Sequence, residues 1–163
     1  MAKAKKIKKP DKNSEDLFIK NQICFSIYSA SRYVSQVYQS HLNPYDLTYL
    51  QFLVMLCLWE NEGITVSDIC KQLDLDTGTL SPLLKKLEFK EYILRERQTV
   101  DERVVLIVLT KKGRGLKTKI FPLRESLICE SGLQMKELVE LKAQLEKLSA
   151  NLNTVIKAKN SLK

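Results

Sequence analysis

Cys24 and Tyr28 stand four residues apart in the stretch NQICFSIYSASR, residues 21–32, so on a helix a thiol and a phenol share one face. Ser31, Ser35 and Tyr38 continue that stripe, so the thiol shares its face with hydroxyl groups. Such donors are what a thiolate needs before it attacks an electrophile such as a peroxide oxygen. A free cysteine is equally a small hydrophobe that stays inert inside a core, so residue type alone leaves both readings open. Cys57, in a nearly all-apolar run, and Cys70, in SDICKQL, read as core, as does Trp59. No cysteine belongs to a CxxC pair and His41 is the only histidine, so neither a zinc site nor any other metal or cofactor is expected.

The thiol must be carried by a long helix. Apolar residues at 23, 27, 30, 34 and 37, after a cap-like Ser14 with Glu15 and Asp16, predict one from 14 to about 42, ended by Asn43 and Pro44. Cys24 would then lie well past the first turn, where the helix dipole adds little. Tyr38 lies fourteen residues beyond Cys24. At 1.5 Å per residue that is about 21 Å, so its phenol could meet the thiol only from a second chain.

Downstream, a core helix is expected over 46–60. Thr65 and Asp68 then form a capping box that opens a short helix to about 73. In DLDTGTLSPLLKKLEFK, Leu80, Leu83, Leu84 and Leu87 fall on one side and Thr79, Ser81, Lys85 and Lys86 largely on the other. Two short helices so joined make a helix-turn-helix, and the β-prone runs 92–97 and 103–109 make a hairpin after it, a wing. Thr110 caps a further helix running toward 128, kinked at Pro122, and a last amphipathic helix covers 135–157. The fold class is mainly α with a small β-hairpin wing, a winged helix-turn-helix. Residues 1–13 would be a disordered basic tail and 14–163 one domain, with 46–110 the DNA-binding part. Segments 14–43 and 111–160 carry surplus apolar surface best buried against a second copy, as dimerisation helices.

The formal charge of +8 points to an anionic partner, but six of the lysines fall within the first twelve residues, so much of the excess is tail. Such a tail is either a solvated arm or one that brushes phosphate. The longest apolar run, 52–59, is far too short to span a membrane, and the lysine-rich start lacks a signal peptide's apolar stretch. A cytoplasmic protein with reduced thiols is expected.

The leucines of 80–87 are core residues. On the opposite face, Thr79 and Ser81 sit at a helix start that favours phosphate, with Lys85 and Lys86 one turn on. Short side chains let the backbone approach base edges in a major groove. Arg95, Arg97 and Arg103 flank the hairpin turn, as a minor-groove wing requires, although a charged hairpin is also a common solvated edge. A twofold protein would read half-sites about 34 Å apart in a pseudo-palindromic duplex.

NQICFSIYSASR, LDTGTLSPLLKKLE and DERVVLIVLTKKG resemble the matching stretches of the MarR family of winged-helix regulators, and specifically its OhrR-type branch, which senses organic hydroperoxides. The likeness runs over roughly residues 15–155. It implies that 77–86 is the recognition helix, bringing Thr77, Gly78 and Pro82 to DNA, and that Asp101 and Arg103 mark the wing, with Arg103 at a minor groove. It implies that Tyr28 and Tyr38 reach Cys24 from the other subunit of a homodimer. Cys129 matches the second cysteine of the two-cysteine members, which forms a disulfide across the dimer with the peroxide-reactive cysteine, here Cys24. The implied function is a repressor, not an enzyme, that releases its operator on oxidation. Open alternatives are a regulator answering a phenolic or lipophilic ligand with Cys24 incidental, a thiol peroxidase, and a sequence-indifferent DNA coater.

Overall fold

The computed structural model describes residues 15–97 and 104–161. The basic tail, Ser14, Asp101, Arg103 and the tip of the wing lie outside the described residues. The chain divides into two compact units, Met1–Leu109 and Thr110–Lys163.

In the first unit the long helix begins later than the periodicity predicts. A short 3-10 turn, Ile19–Asn21, leads to Gln22 in extended backbone (φ −92°, ψ 114°), and only then does helix α1, Ile23–Leu42, start. Side-chain amides cause the break. Asn21 Nδ2 donates to the Glu15 carbonyl at 2.6 Å, and Gln22 Nε2 donates to the carbonyls of Asp16 and Phe18. Those acceptors are thereby satisfied without a continued helix. Of the residues of α1, only Leu42 is buried.

A 3-10 turn, Asn43–Tyr45, and left-handed Asp46 (φ 52°) reverse the chain. Helix α2, Tyr49–Glu60, starts three residues later than expected because Thr48 and Gln51 form its capping box. It supplies the centre of the core through Phe52, Val54, Met55, Cys57 and Leu58.

Strand β1, Ile64–Thr65, precedes helix α3, Val66–Leu73, and the expected Thr65–Asp68 capping box is present. Helix α4, Thr77–Phe89, completes the helix-turn-helix and buries Leu80, Leu84 and Leu87. Pro82 lies inside it; lacking an N–H, it denies the Gly78 carbonyl its helical donor. Strands β2, Ile93–Arg97, and β3, Val105–Leu109, pair antiparallel from Ile93 opposite Leu109 to Arg97 opposite Val105. The sheet has a third strand that the hydropathy pattern missed: β1 pairs with β3, Ile64 opposite Ile107, in the order β1-β3-β2.

In the second unit, Thr110 accepts a hydrogen bond from the Gly113 N–H at 3.0 Å and caps α5, Lys111–Ile120. Pro122 does more than kink the chain. It separates α5 from a distinct helix α6, Leu123–Ser131, which closes on left-handed Gly132 (φ 68°). Helix α7, Met135–Asn160, has no buried residue, and Val139, Leu141, Leu145, Leu152 and Val155 are all exposed. No helix of the described residues is long and apolar enough to cross a membrane.

Candidate nucleic-acid interface and thiol site

The outward face of α4 carries Thr77, Gly78, Thr79, Pro82, Lys85 and Lys86, all exposed, with Ser81 half-buried. Three wholly buried leucines on the opposite side hold that face outward. Asp76, which the sequence reading did not single out, fixes its start. One carboxylate oxygen accepts from the Thr79 N–H at 2.7 Å and the other from the Thr79 hydroxyl at 2.9 Å. The Thr79 amide and then its hydroxyl hold the Asp76 carboxyl below its ordinary range. A Cβ placed on Gly78 would lie 3.0 Å from Asp76 Oδ1, so a side chain there would crowd the cap. An aspartate just before an apolar-periodic run was the signal that could have found this cap.

The wing arginines differ from one another. Arg97 is exposed at the end of β2. Arg95 turns back to α4, its Nε 3.1 Å from Glu88 Oε2, with 29% of the side chain exposed. The pair is close in charge without an aligned hydrogen bond, since Arg95 Nε and Nη2 are buried and have no hydrogen-bond partner. Arg95 thus lies against Glu88 of α4, and a charged residue at a strand end looks the same in sequence whether or not it is so paired.

A second joint ties the end of α4 to the turn after α1. Lys90 Nζ donates to the Asp46 carbonyl, lies 3.1 Å from Asp46 Oδ2 and reaches buried Gln51 Oε1 at 3.4 Å. The Tyr92 hydroxyl donates to the Tyr45 carbonyl at 3.0 Å.

Cys24 is exposed and is the second residue of α1, which overturns the expectation that it lies beyond the first turn. Helical side chains tilt toward the N-terminus, where the first backbone amides lack helical partners. Tyr28, one turn on, is 64% exposed. The hydroxyl stripe is narrower than its spacing implied, because the Ser35 hydroxyl donates to the Ser31 carbonyl at 2.8 Å. Tyr38 packs within its own chain against Tyr49 and Phe52, ring centroids 5.1 and 5.4 Å away. Burial, and secondarily Tyr49, push its phenol up, so it remains a proton donor at neutral pH.

Of the remaining thiols, Cys57 is buried, and burial pushes its thiol up, with Glu60 adding to the effect. Cys70 is only half-buried, against the expectation of a core residue, and its Sγ lies 4.0 Å from Thr77 Oγ1. Cys129 is exposed on α6. Trp59 is half-buried, edge-on to Phe52. Among the described residues no cluster of His, Cys, Asp and Glu could hold a metal ion.

The family model described as transcriptional regulator SarA/Rot matches residues 36–120, just over half of the chain. The regulator TtmR of Methylorubrum extorquens is 45% identical over 117 residues, covering 72% of this chain but only 60% of TtmR. MgrA of Staphylococcus aureus is 40% identical over 131 residues, covering 80% of this chain and 89% of MgrA. Reduced AbfR bound to DNA superposes with a TM-score of 0.75 at 37% identity, covering 88% of this chain and 99% of that one. AbfR, from Staphylococcus epidermidis, also has a disulfide-formed structure that superposes less well, with a TM-score of 0.62 at 36% identity, covering 89% and 97%. A MarR regulator from Methanosarcina mazei shares the fold at 24% identity, TM-score 0.71, covering 82% and 97%. With a helix-turn-helix, a three-stranded wing, the family match and these identities, the chain belongs to the MarR/SarA family of winged-helix transcriptional regulators, which are not enzymes.

Proposed function

We propose that this chain is a homodimeric, cytoplasmic repressor that holds a pseudo-palindromic operator through α4 and the wing and releases it when an organic hydroperoxide oxidises Cys24. The observation that carries the reading is the place of Cys24: exposed, in the first turn of a helix that also leaves Ile23 and Val34 exposed. There, as the resemblance implies, the phenols of the partner's Tyr28 and the partner's Tyr38 would hydrogen-bond the sulfur as it reacts. The thiolate attacks one peroxide oxygen of ROOH, the O–O bond breaks, and the alkoxide leaves as ROH after taking a proton. The resulting sulfenic acid condenses with Cys129 across the dimer, forming a disulfide and releasing water. The two-cysteine OhrR-type resemblance supports that pairing, and disulfide chemistry in general is supported by AbfR, a relative seen with a disulfide as well as on DNA in reduced and overoxidized forms. We take the disulfide, rather than a sulfur acid alone, as the releasing state.

The test is operator binding before and after cumene hydroperoxide. The parent should release DNA, Cys24→Ser should stay bound, and Cys129→Ser should stay bound or release only with an added small thiol. A covalent dimer should appear on a non-reducing gel only when both cysteines are present. Undiminished release by Cys24→Ser would remove Cys24 from the mechanism and point to a phenolic or lipophilic effector.

A further inference from the structure

We infer that Asp76 turns Thr79 into an obligate hydrogen-bond acceptor toward the major groove, so that the start of α4 selects an amino-bearing base, adenine or cytosine, on the strand it contacts. The inference rests on α4 being the DNA-reading helix and adds what that helix reads.

An ionised carboxylate can only accept hydrogen bonds, and a threonine hydroxyl has a single proton. The 2.9 Å contact between Thr79 Oγ1 and Asp76 Oδ2 therefore places that proton on the Asp76 side. The 2.7 Å bond from the Thr79 N–H to Oδ1 holds the carboxylate by its other oxygen, so it cannot swing away without uncapping the helix. The exposed side of Thr79 offers oxygen lone pairs and a methyl group. Phosphate oxygens, guanine N7 and O6, and thymine O4 are all acceptors and gain nothing from those lone pairs, whereas adenine N6 and cytosine N4 present the donor that they can bind. Lys85 and Lys86, farther along the same exposed face, are purely donors. The helix thus shows an acceptor at its beginning and donors beyond, a polarity that residue types alone do not reveal.

Asp76→Asn inverts the arrangement. Its oxygen can keep the Thr79 N–H bond while its NH2 donates to Thr79 Oγ1, which frees the hydroxyl proton to point outward. The full-length proteins would be used to select duplexes from a pool of operators randomised at each half-site position, with melting curves as a check on folding. The parent should prefer adenine or cytosine at one contacted position per half-site by about tenfold. Asp76→Asn should move the preference at that position alone toward guanine or thymine, and Thr79→Val should flatten it there while sparing the others. Unchanged preferences in Thr79→Val, or uniform weakening across all sequences in Asp76→Asn, would overturn the inference and leave Asp76 a plain cap. A parent with no preference at any position would overturn operator reading itself, and the inference with it.

Discussion

Helices α4 and α1 are both amphipathic, yet one is finished within a single chain and the other is not. Leu80, Leu84 and Leu87 of α4 are essentially inaccessible, while α1 leaves Ile23 and Val34 at 72% and 41% exposure. Helix α4 is held by its own unit and has a defined outer face before any partner arrives. The helix bearing Cys24 has an apolar face that asks for a covering surface, so its chemistry is tied to whatever supplies one.

Substitutions can break this contrast. Leu84→Ala should cost about 2–5 kcal/mol and lower the melting temperature sharply, whereas Val34→Ala should scarcely change the fold and instead weaken self-association. Similar melting curves for the two would abolish the distinction. Charge on α7, as in Leu141→Glu with Leu145→Glu, should shift sedimentation toward a monomer while far-ultraviolet dichroism is retained. A dimer unaffected by that pair would place the interface elsewhere.

Smaller effects test the joints. Lys90→Met should destabilise by about 1–2 kcal/mol, through the lost donor to the Asp46 carbonyl and Gln51 rather than through the ion pair, whose Asp46 side is solvent-exposed. Thr65→Ala should cost about 1 kcal/mol by removing the cap of α3. The least effect is in acid. The Asp68 and Asp76 carboxyls are held below their ordinary range, chiefly by the Thr65 hydroxyl and the Thr79 amide respectively. Their stabilisation is therefore complete above the usual carboxylate pKa of about 3.9 and fades as pH falls through the lower folded values. Thermal melts at descending pH should show a shallower acid loss for Asp76→Asn than for the parent.

Much of the reading region was legible in the sequence because its signals are local. The Thr65–Asp68 box, the leucine spacing of α4 and the Thr110 cap each lie within about one or two turns of helix, and all three appear, except that Leu83 is only half-buried. The third strand was not legible, since two residues are too few to show alternation. The late start of α1 was hidden because Asn21 and Gln22 end the preceding turn through side-chain bonds that leave hydropathy unchanged. Arg95–Glu88 and Lys90–Asp46 join side chains of different elements, which the hydropathy spacing within any one element does not encode. For the thiol, spacing correctly put Cys24 and Tyr28 on one helix, but only the true helix boundary put Cys24 in the first turn.

The Lys90–Asp46 joint has a mechanical consequence. Helix α1, 20 residues long, is a rod of about 30 Å, and the joint grips the turn just past the end opposite Cys24. A sideways pull of about 3 Å at the sulfur end tilts such a rod by roughly 6°, so the anchored end feels chiefly torque and little translation. The fulcrum stands at the C-terminal end of α4, where a rotation would re-aim the side chains of that helix.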